Sequence, residues 1–211
     1  MIGIIDYGMG NLHSVTKGLE RIGCASFVSA DVKELAQAER LILPGVGSFR
    51  DGMRELKAQG LTAFLLEQAN KNKPVLGICL GMQLLFEESE ENGRTLGLGL
   101  LPGKVKRFPG VTTAGERYKV PHMGWNRLHV HQVDHPILHV VPPGHVYFVH
   151  SYVVHVGNDD VLVASASYGD QLVPAVVSRG NVWGTQFHPE KSSVLGMQML
   201  RNFARAKEGM Q

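Results

Sequence analysis

One cysteine of this chain stands in a setting that can activate a thiol for nucleophilic attack. Cys79 lies within Gly-Ile-Cys-Leu-Gly-Met-Gln at 77–83, directly after a short apolar run. Gly77 and Gly81 flank it, and their lack of Cβ atoms permits a sharp strand-to-helix turn. A sulfur at such a corner lies near a helix N-terminus, whose partial positive charge favours the thiolate. A small buried hydrophobic residue in a βα turn is the alternative, and this short pattern does not decide between them.

A histidine and a glutamate near the C-terminus can complete a catalytic set with this cysteine. Gly-Thr-Gln-Phe-His-Pro-Glu at 184–190 follows a β-rich run, and a continued strand would project His188 and Glu190 to one face. A carboxylate beside an imidazole selects one tautomer and stabilises the protonated ring. We therefore expect Cys79, His188 and Glu190 to act as nucleophile, base and orienting acid.

The first ninety residues predict the elements that must position these side chains. Four short apolar runs alternate with helical periodicity. Strands are expected at 2–6, 26–28, 40–43 and 75–78, and helices at 12–22, 32–38, 51–59, 61–69 and 80–87. This order predicts an α/β fold with a largely parallel sheet flanked by helices, and a ligand crevice at the C-terminal ends of the strands.

A second glycine-rich loop is expected at the same edge of the sheet as Cys79. Pro-Gly-Val-Gly at 44–47 follows the third strand, and its glycines permit backbone amides to turn towards a ligand. The alternative is an ordinary tight turn before the next helix.

The second half of the chain has a different pattern. Strands joined by turns are predicted at 105–108, 125–130, 146–149, 161–166, 175–177 and 182–185, followed by a helix over 193–206. These strands are expected as antiparallel additions at one edge of the sheet. Because no linker or repeat interrupts the sequence, residues 1–211 are predicted to form a single domain.

Composition indicates no nucleic-acid or membrane partner. The net charge is +2 without a run of basic residues, and no apolar stretch approaches the eighteen residues of a membrane helix. The N-terminus lacks a basic leader, and the two cysteines, Cys24 and Cys79, form no disulfide framework. A cytoplasmic location is therefore expected.

Neither a metal nor another cofactor is expected. Seven of the ten histidines lie between His129 and His155, but no acid or cysteine joins them at ligand spacing. Gly8 and Gly10 suggest a dinucleotide fingerprint, yet the third glycine is missing.

Six motifs carry a resemblance to a known family. The cysteine motif at 77–83 and Gln-Phe-His-Pro-Glu-Lys-Ser at 186–192 resemble the nucleophile and His/Glu motifs of class I, triad-type glutamine amidotransferases, which have a flavodoxin-like fold. Within that family, the chain resembles the glutaminase subunits of imidazole glycerol phosphate synthase. This closer resemblance rests on Asp-Tyr-Gly-Met-Gly-Asn-Leu at 6–12, Pro-Gly-Val-Gly-Ser-Phe at 44–49, Pro-His-Met-Gly-Trp-Asn at 121–126 and Phe-Val-His-Ser-Tyr at 148–152.

The resemblance implies hydrolysis of glutamine to glutamate and ammonia. The Cys79 thiolate attacks the side-chain amide to form a thioester, His188 transfers protons, and Glu190 orients the imidazole. The amide of Leu80 and that of Val46 or Gly47 are expected to bind the oxyanion. The residues expected around the substrate glutamine are Gln83, Ser151 and Tyr152.

The resemblance also implies a partner chain, a (β/α)8-barrel cyclase subunit forming a heterodimer with this one. That subunit uses the ammonia to make imidazole glycerol phosphate and AICAR in histidine biosynthesis. The positions that match the family's interface are Asn11, Met123, Trp125, Asn126, Tyr147 and Lys191. From sequence alone, Trp125 is equally compatible with a place in the core.

Several alternatives remain open at this stage. The sequence is also compatible with the glutaminase subunit of another amidotransferase, such as anthranilate or pyridoxal phosphate synthase, and with a γ-glutamyl peptidase that acts alone. A regulatory subunit with an inactive site is a third possibility. We further hypothesise that Gly45 and Gly47 let the oxyanion loop rest with its amide turned away, so that the enzyme is nearly idle without its partner.

Overall fold

Strands and helices alternate through the first ninety residues. The structure is a computed structural model that describes residues 1–206. Its first strands are β1 (Ile2–Ile5), β2 (Ser26–Ser29), β3 (Arg40–Gly45) and β4 (Val75–Cys79). The helices are α1 (Leu12–Arg21), α2 (Val32–Ala36), α3 (Phe49–Ala58), α4 (Leu61–Asn70) and α5 (Leu80–Leu84).

After α5, most of the regular elements of the described chain are strands. These strands are β5 (Phe86–Ser89), β6 (Thr95–Leu96), β7 (Leu101–Arg107), β8 (His122–Arg127), β9 (His129–Val130), β10 (His145–His150), β11 (Tyr152–Val156), β12 (Leu162–Tyr168), β13 (Gln171–Arg179) and β14 (Val182–Thr185). The closing helix, α6, spans Ser193–Arg205.

The central sheet has eight strands in the order β2-β1-β3-β4-β14-β13-β12-β9. The five strands from β2 to β14 are parallel, and β13, β12 and β9 extend the sheet antiparallel from β14. Two apolar clusters cover the sheet. One includes Leu19 and Phe203, and the other includes Leu56 and Leu65. The predicted largely parallel sheet with flanking helices and antiparallel additions is confirmed.

Not all of the antiparallel strands join the central sheet, so the expectation of additions at one edge only is wrong. β8 and β10 form a separate two-stranded sheet, and β11, β7, β5 and β6 form a four-stranded one. The strand expected over 125–130 is divided for this reason: β8 pairs with β10, whereas β9 pairs with β12.

The helix expected over 80–87 is also too long. It ends at Leu84, whose carbonyl accepts a hydrogen bond from the N–H of Leu98. The chain then continues as β5, because pairing with the following segment replaces a further helical turn. Among residues 1–206, no helix has the length and apolar character needed to cross a membrane.

Candidate active site

Cys79 ends β4 in a backbone conformation that non-glycine residues rarely adopt, with φ 56° and ψ −113°. The flanking glycines are required sterically. A Cβ atom on Gly81 would lie 1.8 Å from the Leu43 carbonyl oxygen, and one on Gly77 would lie 2.7 Å from the Gly81 carbonyl oxygen. The strand-to-helix corner inferred from the sequence is therefore confirmed, with α5 beginning directly after the cysteine.

The register of the parallel strands brings the remaining parts of the site to this corner. Gly45 at the end of β3 lies opposite Cys79, and Thr185 at the end of β14 lies opposite Ile78. The glycine-rich loop at 44–47 and the segment that carries His188 therefore leave the sheet on either side of the cysteine.

His188 and Glu190 do interact, but not as neighbours on a strand. β14 ends at Thr185, and Pro189–Lys191 forms a single 3-10 turn. The turn folds the carboxylate back on the ring, so that Glu190 Oε1 lies 2.9 Å from His188 Nδ1. Both residues are buried. The expected contact is present, whereas the strand geometry from which it was inferred is wrong.

The electrostatic surroundings of His188 favour the protonated imidazole. Burial lowers its pKa, but hydrogen bonds and charge interactions with Cys79 and Glu190 outweigh this effect and raise the pKa to about 10. The three side chains thus form a connected set that can exchange protons and deliver a sulfur nucleophile.

A cleft of about 370 Å³ opens above the cysteine. Cys79 and His188 line it, whereas Glu190 lies behind the imidazole. The residues expected from the sequence to bind substrate or the oxyanion also line it: Val46, Gly47, Leu80, Gln83, Ser151 and Tyr152.

The backbone N–H groups expected to bind the oxyanion differ in whether they already have a hydrogen-bond acceptor in the protein. Leu80 begins α5, where a backbone N–H has no acceptor within the helix. The Val46 N–H instead donates to the Met9 carbonyl at 2.9 Å. Gly47 has φ +100°, a conformation that glycine adopts at little cost.

Three polar residues of the site received no role from the sequence: Gln186, Glu91 and His150, which also lines the cleft. Gln186 is buried, its Oε1 accepts from Gln83 Nε2 at 2.9 Å, and its Nε2 lies 4.0 Å from Cys79 Sγ. Glu91 places a carboxylate in the cleft wall, where its Oε2 accepts the Phe49 N–H at 2.8 Å. Gln186 lies in the His/Glu motif, which was a usable signal, but nothing around Glu91 in the sequence indicates a site.

The residues expected at a partner interface fall into two groups. Met123 and Trp125 are 60% and 55% exposed on β8, and Lys191 is exposed on the 3-10 turn. Half-buried Tyr147 contacts Trp125 edge-on, with ring centroids 5.9 Å apart. Four residues form an exposed apolar face on β8 and β10: Met123, Trp125, Tyr147 and Val149.

The other two expected interface residues, Asn11 and Asn126, are half-buried, and their side chains form hydrogen bonds within the chain. Asn11 caps α1, with its Oδ1 accepting from the Ser14 N–H. Asn126 faces the inner side of β8, where its Nδ2 donates to the Ser167 carbonyl at 2.7 Å. Within the part of the chain that the structure describes, His, Cys, Asp and Glu side chains form no group of three able to hold a metal ion.

The fold is that of the class-I glutamine amidotransferases, and a family model with the description "Glutamine amidotransferase class-I" matches residues 3–206. A crystal structure described as a glutamine amidotransferase superposes with a TM-score of 0.73 at 20% identity, covering 96% of each chain. The structure described as PurLQS from Thermotoga maritima gives a TM-score of 0.70, also at 20% identity and 96% coverage of each chain.

Relatives at higher identity narrow the assignment. The chain is similar to the imidazole glycerol phosphate synthase subunits HisH of Halalkalibacterium halodurans (62% identity, covering 99% of this chain and 97% of the relative) and Geobacillus kaustophilus (63%, 99% and 98%). The Bacillus subtilis HisH subunit is 53% identical, with 97% and 96% covered. The chain therefore belongs to the class-I glutamine amidotransferases and, within them, to the HisH subunits of imidazole glycerol phosphate synthase.

Proposed function

We propose that this chain hydrolyses glutamine at Cys79 and supplies the ammonia to a separate cyclase subunit in histidine biosynthesis. The observation that carries the proposal is the buried pair of His188 and Glu190, joined at 2.9 Å beside a cysteine held at a strained corner. The reaction begins when the Cys79 thiolate attacks the side-chain amide carbon of glutamine. The C–N bond then breaks as His188 donates its proton to the departing nitrogen, which leaves ammonia and a γ-glutamyl thioester.

Hydrolysis of the thioester completes the cycle. His188, now neutral, takes a proton from a water molecule that attacks the thioester carbon. The C–S bond breaks, glutamate leaves, and the thiolate and imidazolium are restored. Glu190 holds the imidazole by its Nδ1–H, so that the other ring nitrogen faces the reacting atoms.

The substrate's charged end needs partners of its own. Gln83, Ser151 and Tyr152 line the cleft and offer polar groups, and Glu91 adds a carboxylate that suits the α-ammonium group of glutamine. This assignment orients the side-chain amide of glutamine towards Cys79.

The oxyanion loop supports a resting state with low activity. Leu80 and either Val46 or Gly47 supply the donors, but the Val46 N–H is engaged by the Met9 carbonyl. A rearrangement around Gly45 and Gly47 would free it for the oxyanion. Partner docking and acceptor-ligand binding are the events that would drive this rearrangement.

The partner in this proposal is a (β/α)8-barrel cyclase subunit bound as a heterodimer. It would dock on the exposed apolar face of β8 and β10, with Lys191 nearby. Ammonia must pass directly between the subunits, because in water it becomes protonated and unreactive. The cyclase then uses it to produce imidazole glycerol phosphate and AICAR. The relatives at 53–63% identity are HisH subunits, which favours this pathway over anthranilate synthase, pyridoxal phosphate synthase or a stand-alone γ-glutamyl peptidase.

Glutamate release from glutamine is the direct test. It should be measured for this chain alone, then with the barrel cyclase subunit, and then with the ribotide substrate of the cyclase added, using Cys79→Ala as the control. We expect low basal release, strong stimulation by the loaded complex, and no release by the variant. Equal rates with and without the partner would contradict the proposed role as an ammonia-supplying subunit, and activity of Cys79→Ala would contradict the mechanism.

A further inference from the structure

Two buried histidines outside the catalytic set contact each other, and one of them, His150, lines the cleft. His122 on β8 and His150 on β10 are directly opposite one another, and His122 Nδ1 lies 3.0 Å from His150 Nε2. Their exposed fractions are 2% and 7%. Buried polar groups are retained at a cost unless every hydrogen bond is satisfied, so this pair calls for a structural reason.

The hydrogen-bond partners of the pair define which ring nitrogen carries each proton. His150 Nδ1 lies 2.7 Å from the Tyr152 carbonyl oxygen, which can only accept, so Nδ1 is protonated. In the neutral ring, His150 Nε2 is then an acceptor, and His122 Nδ1 must donate to it. Burial lowers the pKa of His122 to about 4 and that of His150 to about 3, which keeps both rings neutral at physiological pH.

The hydrogen bonds of Asn126, on the other side of His122, imply the same direction of donation. Asn126 Nδ2 lies 3.3 Å from His122 Nε2 and also donates to the Ser167 carbonyl, while Asn126 Oδ1 accepts the Arg127 N–H. The amide orientation therefore makes Asn126 the donor and His122 Nε2 the acceptor. Backbone groups at both ends impose the same direction on every intervening bond.

Stacking holds the His122 ring in the plane that these bonds require. The His122 ring stacks on the Phe148 ring at a centroid distance of 4.5 Å and an interplanar angle of 21°. It also stacks on the Tyr168 ring at 4.0 Å and 23°. A rotation of His122 away from His150 would break these contacts.

The chain of hydrogen bonds ends at the corner that presents the expected substrate residues. His150 bonds the Tyr152 carbonyl across Ser151, and the Ser151 carbonyl accepts the Phe108 N–H at 3.1 Å. The same Tyr152 oxygen accepts from Gln83 Nε2 at 3.1 Å. His150, which itself lines the cleft, and Phe108 thus hold both carbonyl groups of this corner, and the Tyr152 carbonyl in turn binds the side chain of Gln83.

We propose that His150, with its tautomer set by His122 and Asn126, is a positioning residue that shapes the glutamine-binding wall at Ser151, Tyr152 and Gln83. This inference rests on the proposed function, since it assigns a role in binding the same substrate. The Nδ1–H of His150 orients the Tyr152 carbonyl, and that carbonyl orients the Gln83 amide.

Two conservative substitutions separate the two contacts of His150, the hydrogen bond to the Tyr152 carbonyl and the contact with His122. In His150→Asn the amide nitrogen occupies about the position of Nδ1 and can still donate to the Tyr152 carbonyl. In His150→Gln the amide occupies about the position of Nε2, so contact with His122 is retained and the donor to Tyr152 is lost. A matched control is His135→Gln, which alters another histidine whose pKa burial lowers to about 4, away from the cleft.

The assay is glutamine hydrolysis by the complex with the cyclase subunit and its ribotide, with KM and kcat measured separately and Tm recorded for each variant. We expect His150→Gln to raise the KM for glutamine about tenfold more than His150→Asn, as the loss of one well-placed hydrogen bond predicts. The effect on kcat should be smaller, and His135→Gln should keep the wild-type KM. An equal rise in KM for both His150 variants, in proportion to their loss of Tm, would overturn the proposal.

A spectroscopic measurement keeps this inference separable from the proposed function. Long-range ¹⁵N–¹H correlation spectra of the wild-type chain should show His122 and His150 neutral, with the proton on Nδ1 of each ring. A proton on Nε2 of His150 would overturn the inference even if glutamine hydrolysis is confirmed. If the spectra are as expected but the wild-type complex releases no glutamate, the proposed function fails and the assigned role in binding glutamine fails with it.

Discussion

The backbone N–H of Val46 donates to the carbonyl oxygen of Met9 at 2.9 Å, which ties the loop after β3 to the loop after β1. The N–H group that we propose as an oxyanion donor is therefore occupied inside the protein. Because electrostatic stabilisation of the oxyanion is usually a large part of such catalysis, release of this one bond can control the rate.

Gly47→Ala tests this control. A Cβ atom there would lie 2.9 Å from Met9 Cε, and φ +100° is unfavourable for alanine. The substitution should raise the free energy of the resting loop by about 1 kcal/mol and increase basal glutamate release by the chain alone about fivefold. Gly115→Ala, at φ +85° with no atom within 4 Å of the added Cβ, should keep the wild-type rate. A basal rate for Gly47→Ala at or below wild type would contradict the resting-loop hypothesis.

Gly81→Ala tests the steric requirement of the nucleophile corner. The added Cβ would lie 1.8 Å from the Leu43 carbonyl oxygen, so the backbone of β3 or α5 must move. We expect the free energy of unfolding to fall by about 3 kcal/mol, as seen for severe overpacking, and activity to be lost. Gly180→Ala, with φ +58° and open space around the Cβ, should cost only about 1 kcal/mol. Urea unfolding monitored by circular dichroism measures both, and equal losses would refute the steric explanation.

The raised pKa of His188 predicts a particular dependence of stability on pH. Folding raises the pKa from about 6.5 in the unfolded chain to about 10, so the folded state binds the proton more tightly. The resulting stabilisation is complete below about pH 6.5 and is lost as the pH rises towards 10. In Cys79→Ala, which lacks a group that raises this pKa, the unfolding free energy should fall less over that range.

An NMR titration of the His188 ring measures the same pKa directly. Its midpoint should lie well above 6.5 in the wild-type chain and fall in Cys79→Ala. A wild-type midpoint near 6.5 would show that Cys79 and Glu190 do not stabilise the imidazolium.

Glu91 and Glu190 should have separable kinetic effects. Glu190→Gln removes the charge that orients His188 and should lower kcat by about 100-fold or more, with a smaller effect on KM. Glu91→Gln can still accept the Phe49 N–H but loses the charge proposed to bind the α-ammonium group, so it should raise the KM for glutamine about tenfold. Steady-state kinetics of the complex distinguish the two. A fall in kcat alone for Glu91→Gln would exclude its proposed role.

Trp125→Ala tests the exposed apolar face as the docking surface. Trp125 is 55% exposed and packs against Tyr147, and a large aromatic side chain at the centre of an interface contributes about 2 kcal/mol or more. The Kd for the cyclase subunit, measured by titration calorimetry, should therefore rise at least about 30-fold. Val133→Ala serves as the control, because Val133 is 73% exposed but lies outside this face. Unchanged affinity of Trp125→Ala would require a different docking surface.

The sequence by itself determined the features that depend on neighbouring residues. Gly77 and Gly81 indicated the corner at Cys79, and alternation of apolar runs predicted the parallel sheet and the edge at which the site lies. Asp31 is of a residue type that caps helices, and its side chain accepts a hydrogen bond from the Lys33 N–H at the start of α2. Such features are readable because their contacts form within a few residues, where local geometry leaves few choices.

Only the tertiary structure decided which distant side chains meet. The 3-10 turn at His188, the occupied Val46 amide, the bond between Gln83 and Gln186 and the opposition of His122 and His150 all depend on the register and packing of separate elements. No local pattern specifies these pairings, because each depends on the register and packing of whole strands and loops in a close-packed interior.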